Sequence, residues 1–223
     1  HNAGRVLAAA VDLDLIAVAG PAHHGVIRID SEGYPQVTVN LNNLEMVEAE
    51  KNTSAALIRG VCARLKVLGY EVGGFNATMI SAVPKGSGLS SSAAYEVMLV
   101  TILSHLYSQG RIEPVSAAQI GQYAENEYFG KPSGLMDQTT SAVGGFVTID
   151  FKDPEKPVVN KVKYDFRQSG YALVIVETGG DHADLTEDYA GVAQEMRSVA
   201  EAMGGHVLRD FSRQELLGRL PEL

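Results

Sequence analysis

Apolar and polar residues alternate through Val11-Asp12-Leu13-Asp14-Leu15, again through Val37-Thr38-Val39-Asn40-Leu41, and around Val26 to Asp30. A period of two places successive side chains on opposite faces, so the first third of the chain reads as antiparallel strands with one solvated face. Gly33 with Tyr34-Pro35 supplies a hairpin turn between two of them. The period then lengthens. Thr53 or Ser54 opens a helix with Ile58, Val61, Leu65 and Leu68 on one side, and Gly69 stops it. Phe75 to Val83 reads as a strand again.

Met98, Leu99, Ile102, Leu103 and Leu106 recur at helical spacing in a helix that is apolar on most sides, which predicts burial in the core. Ser116 with Gln119 forms a capping box for a helix through Ile120, Tyr123 and Ala124. Ser133-Gly134 signals the start of a short helix over Leu135 to Val143, and Gly144-Gly145 precedes a strand from Phe146 to Phe151. The tract Lys152-Asp153-Pro154-Glu155-Lys156-Pro157 reads as an exposed connection. Beyond it, Tyr171 to Val176 is a continuous apolar run expected to form a strand. Asp184 with Glu187 caps a helix carrying Val192, Met196, Val199 and Met203, which Gly204 ends. The sequence carries no internal repeat and no low-complexity tract. The fold class is α+β.

Composition narrows the partners. At 223 residues the chain can bury a core and fill one large or two small domains. Hydrophobic residues make up 45% and charged residues 20%, the balance of an ordinary soluble protein. A net charge of −9 argues against nucleic acid as a partner, and any bound anion must be held by local dipoles, a metal and a few cations. Cys62 is the one cysteine, so an intrachain disulfide is impossible and a buried, inert thiol is expected in the run Leu57 to Cys62. No apolar run reaches the roughly 18 residues of a membrane span, and no signal peptide is visible, which leads to a cytoplasmic expectation. His23-His24 and Cys62 match no familiar metal spacing.

Candidate chemistry concentrates in Val83-Pro84-Lys85-Gly86-Ser87-Gly88-Leu89-Ser90-Ser91-Ser92-Ala93-Ala94. A strand ends at a proline, a glycine-spaced loop carries a run of serines, and a helix follows at once. Such a junction aims backbone N–H groups and a positive helix end at one spot, which suits a phosphate. The plainer reading is a tight turn in which Ser90 or Ser91 caps the helix. A cap needs one hydroxyl, however, and a run of three can serve phosphate oxygens and a hydrated Mg²⁺ together. Asp137 stands in the first turn of the short helix over 135–143, where the helix dipole favours an ionised carboxylate. By itself that position equally fits a plain N-terminal helix charge.

Pro84 through Ala94 resembles the second signature of the galactokinase, homoserine kinase, mevalonate kinase and phosphomevalonate kinase (GHMP kinase) superfamily, in its galactokinase form. A second block, Ala124-Glu125-Asn126-Glu127-Tyr128-Phe129-Gly130 followed by Gly134-Leu135-Met136-Asp137-Gln138, resembles the galactokinase stretch that ends in Gly-x-Met-Asp-Gln. The resemblance implies a GHMP-kinase-like N-terminal domain over residues 1–165, with a mixed or antiparallel sheet and helices of the ribosomal protein S5 domain 2 type. It implies the start of an α+β C-terminal domain over 166–223, and an active site in the cleft between the two. It also implies an ATP- and Mg²⁺-dependent kinase for the anomeric hydroxyl of galactose or a related sugar.

On that basis the phosphate-binding segment is Lys85, Gly86, Ser87, Gly88, Leu89, Ser90, Ser91 and Ser92, and the catalytic base is Asp137. Glu125 is the carboxylate that ligates Mg²⁺ together with a loop serine. Ser91 is the preferred serine, Ser90 the second choice, and Ser92 a structural cap. Gly134, Asp137 and Tyr189 face the sugar. Glu127, about 200° around the helix from Glu125, is expected to be solvated or structural. Lys85 and Lys131 flank the two blocks and either touch phosphate or stay solvated.

The chain departs from the family pattern in several places. His1 to Ala8 resembles the middle of the first galactokinase signature, so the preceding catalytic arginine and sugar ligands are absent, and the far end also reads as cut. The chain is expected to be a fragment. Ala190-Gly191-Val192 stands where paired arginines are usual, and Thr178-Gly179-Gly180-Asp181-His182 replaces an Asn-rich segment, which leaves the sugar open. Three alternatives remain: a mevalonate- or homoserine-type kinase, a non-catalytic sugar- and ATP-binding sensor, and an inactive remnant. Gly-Leu-Ser-Ser-Ser and Met-Asp-Gln weigh against the first, and the intact Ser92-Ala93-Ala94 against the second.

Overall fold

The computed structural model describes residues 2–84, 87–176 and 186–222. Their contacts separate into two units, one formed by 10–145 and the other by the first nine residues with 146–223. The division expected at 165/166 falls inside the second of these units.

The 10–145 unit holds a four-stranded sheet in the order β2 (Leu15–Ala22), β5 (Gly74–Ser81), β3 (Val26–Ser31), β4 (Val37–Asn40). Strand β2 runs antiparallel to β5, β3 antiparallel to β4, and β3 parallel to β5, so the sheet is mixed and not purely antiparallel. The hairpin at Gly33 forms as expected: Gly33 has φ +78° and the Tyr34 N–H donates to Ser31 O at 3.0 Å. The alternation through Val11 to Asp14 produces no strand, and β2 begins only at Leu15. Its partner β5 ends at Ser81, opposite Leu15, and a strand requires a hydrogen-bonded neighbour.

Helix α1 (Ser54–Val67) starts after Thr53 and is closed by Gly69 at φ +81°. It buries Leu57, Ile58, Val61, Cys62 and Leu65. Leu68, expected on that face, is the C-terminal cap and is 47% exposed. Helix α2 (Ser91–Tyr107) buries Leu99, Val100 and Leu103, and Met98, Ile102 and Leu106 lie against the same core. With Ile27, Ile29, Val39, Phe75, Ala77 and Met79 from the sheet, these side chains form one continuous core. Each buried Leu or Ile contributes about 1.5–3 kcal/mol relative to exposure.

Helix α3 (Pro114–Tyr123) does not begin with a capping box at Ser116. Pro114 occupies the first helical turn and Ser116 lies inside the helix, because a proline, with no N–H to satisfy and φ already fixed, makes an equally good start two residues earlier. From Ala124 to Phe129 the backbone widens into a π-helical turn, which Gly130 ends at φ +88°. Helix α4 (Met136–Val143) follows, with Leu135 as its cap residue.

In the other unit, β6 (Phe146–Asp150) pairs with β1 (Arg5–Ala9) on one side and β7 (Val158–Val162) on the other, both antiparallel. The 152–157 tract is the exposed turn between β6 and β7. Tyr171 to Val176 forms no strand among the described residues. Tyr171, Leu173, Val174 and Val176 are each more than 60% exposed, and no strand among the described residues pairs with the run. A short helix α5 (Phe166–Ser169) precedes that run. Helix α6 (Thr186–Ala202) ends at Gly204 as expected, burying Ala200 and Met203, whereas Val192 is exposed. The proposed cap Asp184 lies outside the described residues. Helix α7 (Arg213–Arg219) is capped by Ser212 and Glu215 in a reciprocal pair.

Candidate active site

The loop between β5 and α2 and the two acidic residues expected to work with it meet in the 10–145 unit. Ser87 Oγ donates to Pro84 O at 2.7 Å, which folds the loop back on itself, and Gly88 takes φ +74°. Ser90, at φ 59° and ψ 50°, sits in the left-handed region that residues with a Cβ seldom adopt. Its hydroxyl donates to Asp137 Oδ2 and does not cap α2, so among the described residues the first amides of that helix have no side-chain cap. The simple capping reading of the serines therefore fails for Ser90. Lys85 and Gly86 lie outside the described residues.

Two residues on, Ser92 Oγ donates to Glu125 Oε1 at 2.8 Å. The serine bonded to Glu125 is therefore Ser92, and not Ser91, the one preferred from the sequence as the metal serine. Ser91 is half-buried at the first position of α2, and it is Ser92, one residue further round the first turn, that faces the carboxylate. Glu125 and Ser92 together form a hard oxygen donor set of the kind that takes a small divalent cation with one or two protein oxygens. Among the described residues no cluster of three or more His, Cys, Asp or Glu is arranged to hold a metal.

Glu125 is held in place from several sides. It lies in the π-helical turn, which packs directly on α1 because Gly60 has no side chain: a Cβ there would sit 2.8 Å from Ala124 Cα. Tyr128 Oη donates to Leu44 O at 2.8 Å, and the Asn52 N–H donates to Phe129 O at 3.1 Å. Glu125 itself is 2% exposed and accepts from Lys131 Nζ at 3.4 Å and Gln138 Nε2 at 2.8 Å. Lys131 thus lies against the carboxylate, and Glu127 is exposed as expected.

Asp137 occupies the second position of α4 and is exposed. The preceding loop is pinned through Ser133, whose N–H donates to Asn126 Oδ1 at 2.7 Å and whose carbonyl accepts from Gln122 Nε2 at 3.0 Å. Gly134, in that loop, is exposed. The side chain of Tyr189 and the whole of 177–185, including His182, lie outside the described residues.

Two polar residues without an assigned role emerge beside the pair. Glu96, on α2, is fully buried, and Gln138, next to Asp137, is 1% exposed. Burial first, and the charge of Glu125 second, push the Glu96 carboxyl well above the ordinary glutamate range, against the opposing Gln138 amide and Lys131. A glutamate inside an otherwise apolar helix was the available signal. Its position four residues after Ser92 places it one turn along on the same face.

Residues 55–145 match the family of GHMP kinases N terminal domain. Over that stretch, which holds the serine loop, Glu125 and Asp137, the chain is similar to the GHMP kinases. It is 30% identical over its full length to a galactokinase of Streptomyces coelicolor and 29% identical to one of Streptomyces lividans, spanning 57% and 55% of those proteins. Among solved structures it resembles Lactococcus lactis galactokinase complexed with galactose, with a TM-score of 0.79 at 22% identity over 99% of this chain and 57% of that one. It also resembles Methanococcus jannaschii mevalonate kinase, with a TM-score of 0.61 at 19% identity over 96% of this chain and 68% of that one. At these identities the structural likeness speaks to fold alone. The chain spans a little over half the length of the galactokinases it matches.

Proposed function

We propose that this chain is the nucleotide-phosphate half of a sugar 1-kinase, which moves the γ-phosphoryl of ATP to the anomeric hydroxyl of galactose or a close relative. Residues 1–165 serve as its N-terminal domain and 166–223 as the start of a second. The supporting observation is the double tether of one loop to two carboxylates, Ser90 to Asp137 and Ser92 to Glu125. Phosphoryl transfer asks little covalent chemistry of a protein and much positioning. A helix N-terminus for the phosphates, a buried carboxylate for a cation and a second, accessible carboxylate for the acceptor hydroxyl meet that demand at one place.

In this reading the loop amides and hydroxyls from Lys85 to Ser92 bind the phosphates, and the open first turn of α2 contributes its dipole. Mg²⁺ fits the oxygen pair Glu125 and Ser92, where it would neutralise charge on the transferred group. Asp137 orients the sugar hydroxyl and accepts its proton at Oδ2, the atom that takes the Ser90 hydroxyl in the free protein. Gly134 and Tyr189 contact the sugar. A cytoplasmic setting accords with the single buried thiol.

The test is an intact-mass determination of the natural protein followed by an ADP-release assay with galactose, N-acetylgalactosamine, glucose and mevalonate. Turnover with galactose or its N-acetyl derivative supports the reading. Mevalonate turnover refutes the branch, and nucleotide binding without any turnover identifies a sensor or an inactive remnant.

A further inference from the structure

Gln138 and Glu96 form a buried polar bridge behind the proposed metal carboxylate. The Gln138 amide nitrogen donates both of its hydrogens, to Glu125 Oε2 at 2.8 Å and to Glu96 Oε2 at 3.1 Å. Three elements are thereby tied together: α2, the π-helical turn and α4. Room for the bridge comes from α3, where Gly121 stands in place of a side chain whose Cβ would lie 2.9 Å from Glu96 Cβ and 3.0 Å from Glu96 Oε2. Among the described residues, Glu96 Oε1 and Gln138 Oε1 are buried without a hydrogen-bond partner. Two such orphaned acceptors are costly, and a core formed for stability alone would place apolar side chains here.

The arrangement makes sense if what matters is the direction in which the amide points. A glutamine amide has two orientations, and the reverse one would set Gln138 Oε1 against the Glu125 carboxylate. With only Glu125 to hold it, one N–H of Gln138 would be unsatisfied and the side chain free to swing. Glu96 takes that second hydrogen. Carboxylates that ligate metals are held by outer hydrogen bonds of this kind.

We infer that Glu96 is a positioning residue that fixes the Glu125 carboxylate through Gln138, and so sets the cation affinity of the site. The inference rests on the reading that Glu125 holds the metal.

It is tested on the full-length protein by the Mn²⁺ concentration that half-saturates the metal-dependent fluorescence rise of a mant-ADP probe, beside the metal-free affinity for the same probe. Glu96→Leu is expected to raise that Mn²⁺ concentration about 10- to 100-fold and to leave metal-free probe binding within roughly twofold, which a merely structural defect would not do. Glu96→Gln, whose amide oxygen can accept the same N–H, is expected to restore the wild-type value to within about threefold. Should Glu96→Leu fail to fold by circular dichroism, Gln138→Met carries the same expectation. Glu125→Ala is the control. If it leaves the Mn²⁺ dependence unchanged, the metal reading falls and this inference with it. If Glu125→Ala weakens Mn²⁺ but the Glu96 and Gln138 variants do not, or if Glu96→Gln is as impaired as Glu96→Leu, the positioning role is overturned and the metal reading stands.

Discussion

Asp137 and Glu125 carry the same functional group in opposite settings. Glu125 is enclosed and accepts hydrogen bonds from a serine, a lysine and a glutamine, whereas Asp137 is exposed at the start of α4 with the Ser90 hydroxyl as its described partner. An accessible carboxylate whose partner is a neutral hydroxyl can exchange it for a substrate hydroxyl. Asp137→Asn is therefore expected to lower turnover by roughly 10²- to 10⁴-fold while leaving the nucleotide dissociation constant nearly unchanged, measured by ADP release and by nucleotide titration. Cys62 shows the converse case of a reactive group made inert. It is fully buried in α1, and burial pushes its thiol up to about 12. A thiol reagent at pH 8 should leave the folded protein unlabelled over minutes and should label one thiol at once in denaturant.

At the scale of elements, the close seating of the π-helical turn on α1 is what places Glu125. Gly60→Ala would put a Cβ 2.8 Å from both Ala124 Cα and its Cβ, against backbone that cannot rotate aside. The expected cost is about 1–3 kcal/mol in urea denaturation, with weaker metal-dependent nucleotide binding as the turn shifts. Nothing in the sequence announces this contact, because Gly60 sits inside an ordinary helical period. The signals that were legible are the local ones. The period of two marked β3 and β4, Gly69 and Gly204 marked helix ends, and the serine loop and Met-Asp-Gln marked two segments that the fold brings together. Signals that depend on a partner misled. The alternation from Val11 to Asp14 keeps its pattern of half-buried and exposed side chains but has no strand beside it, and the run from Tyr171 to Val176 meets none among the described residues. Ser91, Ser92 and Ser90 could not be told apart by spacing, since which hydroxyl meets which acid depends on the left-handed turn at Ser90. The glutamate at 96 stands out in its apolar helix, but its role becomes legible only with Gln138 and Glu125 next to it.

At the scale of the whole chain, the unit containing β6 draws together residues far apart in sequence, and it does so around one acid. Asp150 accepts from Arg5 Nη2 at 2.8 Å and Nε at 3.2 Å, from Arg209 Nη2 at 3.1 Å, and from Arg209 Nη1. Arg209 also donates to Ala3 O at 2.8 Å, and the Leu208 N–H donates to Asn2 Oδ1 at 2.5 Å, so the first strand and the turn at 208–210 share this junction. The Arg209 hydrogen bonds, then those of Arg5, hold the Asp150 carboxyl well below the ordinary aspartate range. A carboxyl with a depressed value in the folded state stabilises that state fully above its unfolded value, near pH 4, where both states are ionised. As pH falls below that point the unfolded chain takes up the proton first, and the stabilisation drains away until the folded carboxyl is protonated as well. Asp150→Asn should therefore lower the denaturation midpoint by an amount that is constant from about pH 5 upward and shrinks toward zero as pH drops below about 4. Urea titrations of both proteins across pH 3 to 8 read this directly. A deficit that stays the same at pH 3 would mean that the two arginines hold Asp150 by shape and not by its charge.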